Sequence, residues 1–299
     1  MPDLSIVVVN WNTRDLLLRC IQMMLDTRGD LALDIIVVDN ASTDDSLRRV
    51  RERFPFVTVI ENTCNTGFAK ANNQGVRASP ANYSLLLNSD AFLAPGALQA
   101  LLGLAERQPQ AALIGAQLRN ADGTFQASHT RFPNLWREFL ILSGLGRLFE
   151  GRAFPSCGPD DAKGARVVDY VEGACMLVRN EAYMAVGGLD ESFFMYAEEV
   201  DLCYRLWRAG WQVWYEPKAI VTHLGGASSK NRSAKRELDL YRSRVLFFRK
   251  HYGPLPGLIL KAQIIAWTAL KSCIHALLRA LTHGRLGRPV ASLRDLYVI

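Results

Sequence analysis

Three acids, Glu198, Glu199 and Asp201, follow an aromatic run, Phe193, Phe194 and Tyr196, within GGLDESFFMYAEEVDLCYR (187–205). The spacing predicts a helix from about Ala197, with Val200, Cys203 and Trp207 along one face. Asp201 and Arg205 then stand four apart, as an intrahelical ion pair requires. Glu198 and Glu199 fall in the first turn, where free N–H groups and the helix dipole favour an ionised carboxylate. An ionised carboxylate beside an aromatic wall can serve as a general base. The same residues also make an ordinary acid-capped helix start. Chemistry here requires partners from elsewhere in the chain.

Candidate partners collect where short apolar runs end: Asn10 and Asn12, Asp39 and Asn40, Asn65, then Asn88 and Asp90. Turn-making and helix capping account for Ser42 and Asp44. They account less well for Asn88-Ser89-Asp90, since a turn running into Ala91-Phe92-Leu93 gains little from two acceptors. An acid at a strand end can instead hold Mg²⁺ or Mn²⁺ against a diphosphate. His223 follows an apolar run and precedes two glycines, which makes it a candidate metal ligand. No phosphate loop is present, and no GxGxxG follows the first apolar run; Gly67 and Gly75 follow the third. A nucleotide must therefore be held by other means.

The elements that carry these residues alternate. Ser5–Val9, Ile35–Val38, Val57–Ile60 and Ser84–Leu87 read as buried strands, separated by helical patterns through Leu16–Met24, Leu47–Val50 and up to Val76. This is the pattern of βαβ units and a mainly parallel, Rossmann-like α/β sheet flanked by helices, with ligands at the C-terminal strand edge. Residues 96–107 predict another helix, and 120–161 are irregular, as an acceptor-side insertion would be. Val167–Val178, Gln212–Tyr215 and Ala219–Val221 resume strand character.

Length and composition fit one large globular domain, or a domain with an appendage: 299 residues, 49% hydrophobic and 21% charged. The six cysteines form no CxxC pair, which favours reduced thiols in the cytoplasm. The first residues carry no basic segment or cleavage site of a signal peptide. Charge is uneven. From Lys230 onward 14 Lys/Arg face 3 Asp/Glu, a net of +11, which leaves −5 on residues 1–229 of a chain whose total is +6.

SIVVVNWN, IIVVDNASTDDS, NTGFAKANNQG, LLLNSD, VEGACMLVRNEAYMAVGGLDESFFMYAEEVDLCYRLWRAG and HLGGAS occur in that order. Together they resemble family 2 glycosyltransferases of the bacterial rhamnosyltransferase-like group, over about residues 4–250. The resemblance implies a GT-A domain over 1–250 and inverting transfer from a nucleoside-diphosphate sugar, dTDP-rhamnose or a UDP-sugar. It matches Asn10, Trp11 and Asp39 to positions that hold base and ribose, and Asn65, Gly67 and Asn73 to a second nucleotide-side motif. Asn88-Ser89-Asp90 stands where the family has DxD, with Asp90 as metal carrier and Asn88 on the donor side. His223 matches a late metal- or diphosphate-binding histidine. The general base matches Glu199, with its neighbour Glu198 as the alternative.

Residues 251–299 are expected to form a helical, basic, membrane-associating segment. Within 256–282, Lys261, Lys271, His275 and Arg279 interrupt the apolar run but leave a broad apolar face. An amphipathic helix in the bilayer interface fits this pattern, with Trp267 at headgroup level and Arg232, Lys235, Arg236, Arg242, Arg244, Arg249 and Lys250 as a basic approach surface. Packing of this helix on the domain or on another subunit is the alternative. No nucleic-acid motif accompanies the charge, so no nucleic-acid partner is expected. These features place the protein on the cytoplasmic face of the membrane, acting on a glycan or polyprenyl-linked acceptor. A nucleotidyltransferase of related fold would want a basic, glycine-rich loop where Asn10-Trp11-Asn12 stands; an inactive membrane adaptor would not need the acids.

Overall fold

The computed structural model describes residues 2–146, 164–225 and 233–281. Strands β1 (Leu4–Asn10), β2 (Leu33–Asp39), β3 (Thr58–Glu61) and β4 (Tyr83–Asn88) lie parallel in the order β3-β2-β1-β4. Helices α1 (Arg14–Thr27), α2 (Ser46–Arg53) and α3 (Phe68–Ala78) connect them. β1 and β4 are buried on both faces, which is why they read as unbroken apolar runs rather than as alternating ones. The sheet reverses its strand order between β1 and β4, and ligands of open α/β sheets bind in the crevice at that point.

Beyond β4 the sheet continues with β10 (Cys175–Arg179), β6 (Ala111–Arg119), β11 (Gln212–His223) and β5 (Ala91–Leu93). β10 runs antiparallel to both neighbours, whereas β11 runs parallel to β6. His223 therefore ends its strand at the same edge as Asn10, Asp39 and Asn88. β8 (Arg166–Val167) adds to β11, and β7 (His129–Thr130) pairs with β9 (Tyr170–Val171) in a separate ribbon. The remaining helices are α4 (Ala97–Arg107), α5 (Leu135–Ser143), α6 (Asn180–Ala185), α7 (Glu198–Arg208), α8 (Ser233–Tyr252) and α9 (Pro254–Leu281).

Three expected stretches come out differently. Residues 167–178 form three short strands, broken at Asp169 and again around Gly173. The two runs after residue 212 are one strand with a bulge between Glu216 and Ile220, which absorbs the interruption at Pro217-Lys218. Ala91–Leu93, expected to trail a turn, pairs antiparallel with the end of β11 and sets His223 opposite Ala91. Phe149, Phe154 and Cys157 lie outside the described residues.

Alternate residues of β1 feed opposite sides of the sheet: Ile6 and Val8 pack with α1 and α4, and Val7 packs with α3 and α7. A third core joins Phe193 and Val200 to Phe247, Phe248, Leu260 and Ile264 of α8 and α9. The basic C-terminal segment is thus built onto the beginning of α7, where the acids stand. α9 buries Leu260, Ile264 and Thr268 against this core and exposes Leu255, Leu258, Ile259, Leu270 and Ile274 on other faces.

This placement corrects the expected basic surface. Arg244 turns inward to buried Glu138 at 3.1 Å, and Lys250 turns to Asp190 and Asp201, each at 2.6 Å. Trp267 packs on Phe139, with ring centroids 5.9 Å apart, and is partly buried against the third core. The exposed indole is that of Trp136 on α5, 63% accessible and stacked on the other side of Phe139. Arg232 and the side chains of Lys235, His275 and Arg279 lie outside the described residues.

Two helical glycines separate packing from propensity. A methyl group on Gly75 of α3 would meet Val7 Cγ1 at 2.2 Å, whereas on Gly103 of α4 it would meet only the mobile end of Arg107 at 3.1 Å. Gly75→Ala is expected to destabilise by about 1–3 kcal/mol through overpacking. Gly103→Ala is expected to stabilise by roughly 0.5–1 kcal/mol. Denaturant melts of the two variants give the signs.

Candidate active site

The ends of β1, β2 and β4 are tied by one run of hydrogen bonds. Asn10 Nδ2 donates to Asp39 Oδ1 at 2.7 Å and to Ser42 Oγ at 3.0 Å. Thr13 donates to Asn10 Oδ1 at 2.7 Å and lies 2.8 Å from Ser89 Oγ, across the point where strand order reverses. A hydroxyl has one proton, so Ser89 is the donor to Thr13. Asp39 also receives the Ser42 N–H at 2.8 Å and the Ser42 hydroxyl at 2.6 Å. Asn10 and Asp39 are both buried. They frame the edge at which the resemblance implies that base and ribose are held. Ser42, expected as a helix cap, belongs to this frame. Asp44 does cap, receiving the first N–H of α1 from Arg14 at 2.8 Å and that of α2 from Ser46 at 3.2 Å. A shallow hollow of about 530 Å³ opens beside the frame, lined by Asn12, Thr13, Thr43 and Asp44 among others. Trp11 is half-buried at the same edge.

The second donor-side motif divides. Asn65 Oδ1 receives the Gly67 N–H at 3.0 Å. No acceptor among the described residues meets the Asn65 amide nitrogen. Gly67 has φ +86°, and a side chain there would strike the Phe194 carbonyl oxygen at 2.7 Å. That oxygen receives the Phe68 N–H at 2.9 Å, so the glycine permits the donor-side loop to dock on the approach to α7. Asn73 sits elsewhere. It donates to Leu189 O and Glu191 and accepts from Tyr183 and the Leu189 N–H, which fills its amide completely. It is a buried brace between α3 and residues 187–191.

Asp90 and His223 meet as expected, with Asp90 Oδ1 3.4 Å from His223 Nε2 and Asn88 Nδ2 also 3.4 Å from that nitrogen. The other ring nitrogen, Nδ1, lies 2.7 Å from Gln126 Oε1, and the Gln126 amide nitrogen donates to the His223 carbonyl at 3.1 Å. Gln126 thereby holds the proton on Nδ1 and turns the Nε2 lone pair toward Asp90. Nothing in the sequence marked Gln126, a single amide in an irregular stretch. One carboxylate oxygen and one imidazole nitrogen suit a divalent cation whose remaining ligands are phosphate oxygens and water. Among the described residues no third His, Cys, Asp or Glu joins the pair.

The acids stand on the other side of the Glu172–Ala174 turn. Ala174 O accepts the Asn88 N–H at 3.0 Å, and a methyl group added to Gly173 would come within 3.7 Å of the Glu199 side chain. α7 starts at Glu198, after two consecutive left-handed non-glycine residues, Tyr196 (φ +72°) and Ala197 (φ +63°). Such backbone is uncommon and strained. It swings the helix start so that Phe193 enters the core while Glu199 stays half-exposed. The expectation of ionised first-turn carboxylates is not met. Burial pushes Glu198 up to about 7, and burial followed by Glu198 and Glu172 pushes Glu199 well above the usual carboxylate range. Desolvation outweighs the dipole here. Glu198 is 5% accessible, with Oε2 unbonded, so Glu199 is the acid a ligand can reach.

Asp201 fixes the helix that carries them. Its fully buried carboxylate receives Arg205 at 2.7 Å, Lys250 at 2.6 Å and His251 at 2.7 Å. Arg205 continues to the carbonyls of Val186 and Gly188. The expected Asp201–Arg205 pair is present, within a larger cluster joining α7, α8 and residues 186–190.

The mainly parallel sheet, its strand order and the flanking helices are those of the GT-A class of glycosyltransferase. The chain belongs to glycosyltransferase family 2, since the profile described as "Glycosyltransferase like family 2" matches residues 2–243. It is 31% identical over 235 residues to the N-acetylglucosaminyl-diphospho-decaprenol L-rhamnosyltransferase of Mycobacterium tuberculosis, covering 74% of this chain and 76% of that one. It is 30% identical to rhamnosyltransferase WbbL of Escherichia coli, over 56% of this chain and 63% of the relative. In fold it is similar to the mannosyltransferase PcManGT of Pyrobaculum calidifontis, solved with GDP-Man and Mn²⁺. The TM-score is 0.59 at 19% identity, over 99% of this chain and 86% of that chain. Sugar transfer is the class of reaction to which the chain belongs.

Burial raises the Asp201 carboxyl, but the bonds from His251, Arg205 and Lys250 outweigh it and leave it below its ordinary value. With the folded value below the unfolded one of about 3.9, the stabilisation is full above that pH and lost as pH falls through the folded value. Asp201→Asn takes the carboxylate from Arg205 and His251, leaves Lys250 with Asp190 alone, and is expected to destabilise by roughly 3–5 kcal/mol at neutral pH. The difference from wild type should shrink as thermal melts are taken below about pH 4.

Proposed function

We propose that the protein is an inverting, divalent-metal-dependent glycosyltransferase that moves a sugar from a nucleoside diphosphate to a hydroxyl of a glycan or polyprenyl-linked acceptor. One observation carries this reading: the Glu172–Ala174 turn bonds to the end of β4 on one side, and on the other a side chain at Gly173 would reach Glu199. A sugar whose diphosphate lies at Asp90 and His223 then has Glu199 on the far side of its anomeric carbon. The acceptor hydroxyl attacks that carbon as the bond to the diphosphate breaks, and Glu199 takes the hydroxyl proton. Asp90 and His223 would hold Mg²⁺ or Mn²⁺, which offsets charge on the leaving diphosphate. Trp11, Asn65 and Asn88 are the donor-side contacts, and Asn10 and Asp39 frame them. L-Rhamnose from a dTDP donor is the favoured sugar, in keeping with the two rhamnosyltransferase relatives, and a UDP-sugar is the alternative.

Glu199→Gln is expected to lower turnover by about 10²–10⁴-fold while nucleotide-sugar binding persists. A Glu199 value held above the usual range means that kcat/KM rises with pH through it. Glu198→Gln removes a neighbouring negative charge and should move that acid limb to lower pH. Release of dTDP from dTDP-rhamnose in the presence of Mn²⁺ and a polyprenyl-diphosphate-linked glycan acceptor, followed against pH, measures both effects. Near-full activity in Glu199→Gln together with loss in Glu198→Gln would transfer the base role to Glu198.

The domain boundary is proposed at about residue 250, with the segment beyond it holding the enzyme on the cytoplasmic membrane surface. Pro254–Ile274 is long and apolar enough to cross a membrane, with a mean hydropathy of 1.3. The packing of Leu260 and Ile264 into the domain favours an interfacial position instead. No acid occurs between Asp239 and Asp295. Anionic lipid is thus a better partner for the exposed apolar residues of α9 than an equally basic second copy. The protein is expected to sediment with phosphatidylglycerol-containing vesicles at low salt and to be released by Leu258→Asp with Ile259→Asp. Recovery of wild type in the supernatant would refute the membrane role.

A further inference from the structure

Glu172 takes no part in the chemistry described so far. It stands in the break between β9 and β10 and is half-buried. Its backbone is pinned, with its N–H on Ser128 O at 3.0 Å, next to fully buried Val171. Two residues later Ala174 O receives the Asn88 N–H, and the intervening Gly173 is placed so that a side chain there would touch Glu199. Glu172 therefore stands on the short segment that separates the cation pair from the reachable acid. No hydrogen bond from a described residue reaches its carboxylate. Burial raises its carboxyl above the usual range, and His223 and Arg244 pull it partly back. A half-buried carboxyl that no described residue meets with a hydrogen bond, on the segment between the cation pair and Glu199, can take a donor group from a ligand.

We propose that Glu172 binds a ring hydroxyl of the sugar in transit and thereby sets donor-sugar specificity. The inference rests on the transferase reading above. If the diphosphate lies at Asp90 and His223 and attack comes from the side of Glu199, the transferred ring occupies the gap beside the turn. The carboxylate accepts the hydroxyl proton and holds the ring in register, and makes or breaks no covalent bond. Gly173, without a side chain, leaves the approach to Glu199 clear.

The test uses full-length protein, Mn²⁺, and dTDP-rhamnose alongside its 2-, 3- and 4-deoxy analogues. Wild type is expected to lose roughly 10–100-fold in kcat/KM with one of these analogues. Glu172→Ala should lose a similar factor with dTDP-rhamnose itself, yet treat that one analogue and the parent within about threefold of each other. Glu172→Gln, which keeps the shape and one acceptor oxygen, should recover part of the loss; thermal melts and retained dTDP binding identify folded variants. If Glu172→Ala still discriminates at every hydroxyl as wild type does, Glu172 binds no sugar hydroxyl while the transferase reading stands. If wild type releases nucleotide neither from dTDP-rhamnose nor from a UDP-sugar panel, that reading falls, and this inference falls with it.

Discussion

The Asp201 carboxylate is the interaction on which the placement of the acids depends. A fully buried charge is tolerated only when it is paired and its lone pairs are satisfied. Three cationic or proton-donating side chains meet it, one from its own helix and two from the end of α8. The arrangement locks the orientation of α7 and ties it to residues 186–190 through Arg205. The left-handed residues Tyr196 and Ala197 can persist because α7 is held at both ends of this strained entry. The C-terminal segment thereby becomes part of the machinery that positions the acids, and Lys250 is a structural cation before it is a surface charge.

The opposite half of the site obeys a different constraint. Polar groups at the buried ends of parallel strands must find partners, and here they find each other along Ser89, Thr13, Asn10, Asp39 and Ser42. The run joins the β4 turn that carries Asp90 to the end of β2, so a shift at the cation side is felt at the nucleotide side. Most of the polar atoms at this edge are consequently committed to protein. Few groups remain to meet a ligand, such as the half-buried Asn65, or carboxyls held away from their ordinary values by burial.

The alternation of apolar runs and helical patterns was sufficient to place β1 to β4 and the ligand edge, because buried parallel strands leave a strong local signal. The Asp201–Arg205 pair and the meeting of Asp90 with His223 were also legible, the first from helical spacing and the second from family resemblance. Three things were not. Gln126 acts through a contact 97 residues away in sequence, which no local pattern records. The inward turn of Arg244, Lys250 and Trp267 depends on tertiary packing, and a helix rich in cations and apolar residues reads the same whether its cations face lipid or a buried acid. The ionisation of Glu198 and Glu199 was misjudged because helix position sets only the smaller of two opposed effects. Desolvation sets the larger, and burial cannot be read from the first turn of a helix.

Raised carboxyl pKa values also bear on why several acids gather where one base would do. Glu198 and Glu172 each push Glu199 up, so its carboxylate is a stronger base than an isolated surface glutamate. The ordinary cost of such crowding is that the acids protonate one another's neighbourhood and the site goes silent at neutral pH. The cation at the rim opposes that outcome, with Arg244 drawing Glu172 back toward ionisation. Arg244 is itself held by Glu138 on α5. The charge state of the site therefore depends on the packing of α5 and α8, and the α8–α9 segment that carries an apolar surface toward solvent also supplies the counter-charge for the acids. Anything that loosened the tail from the domain would alter the acids as well as the surface.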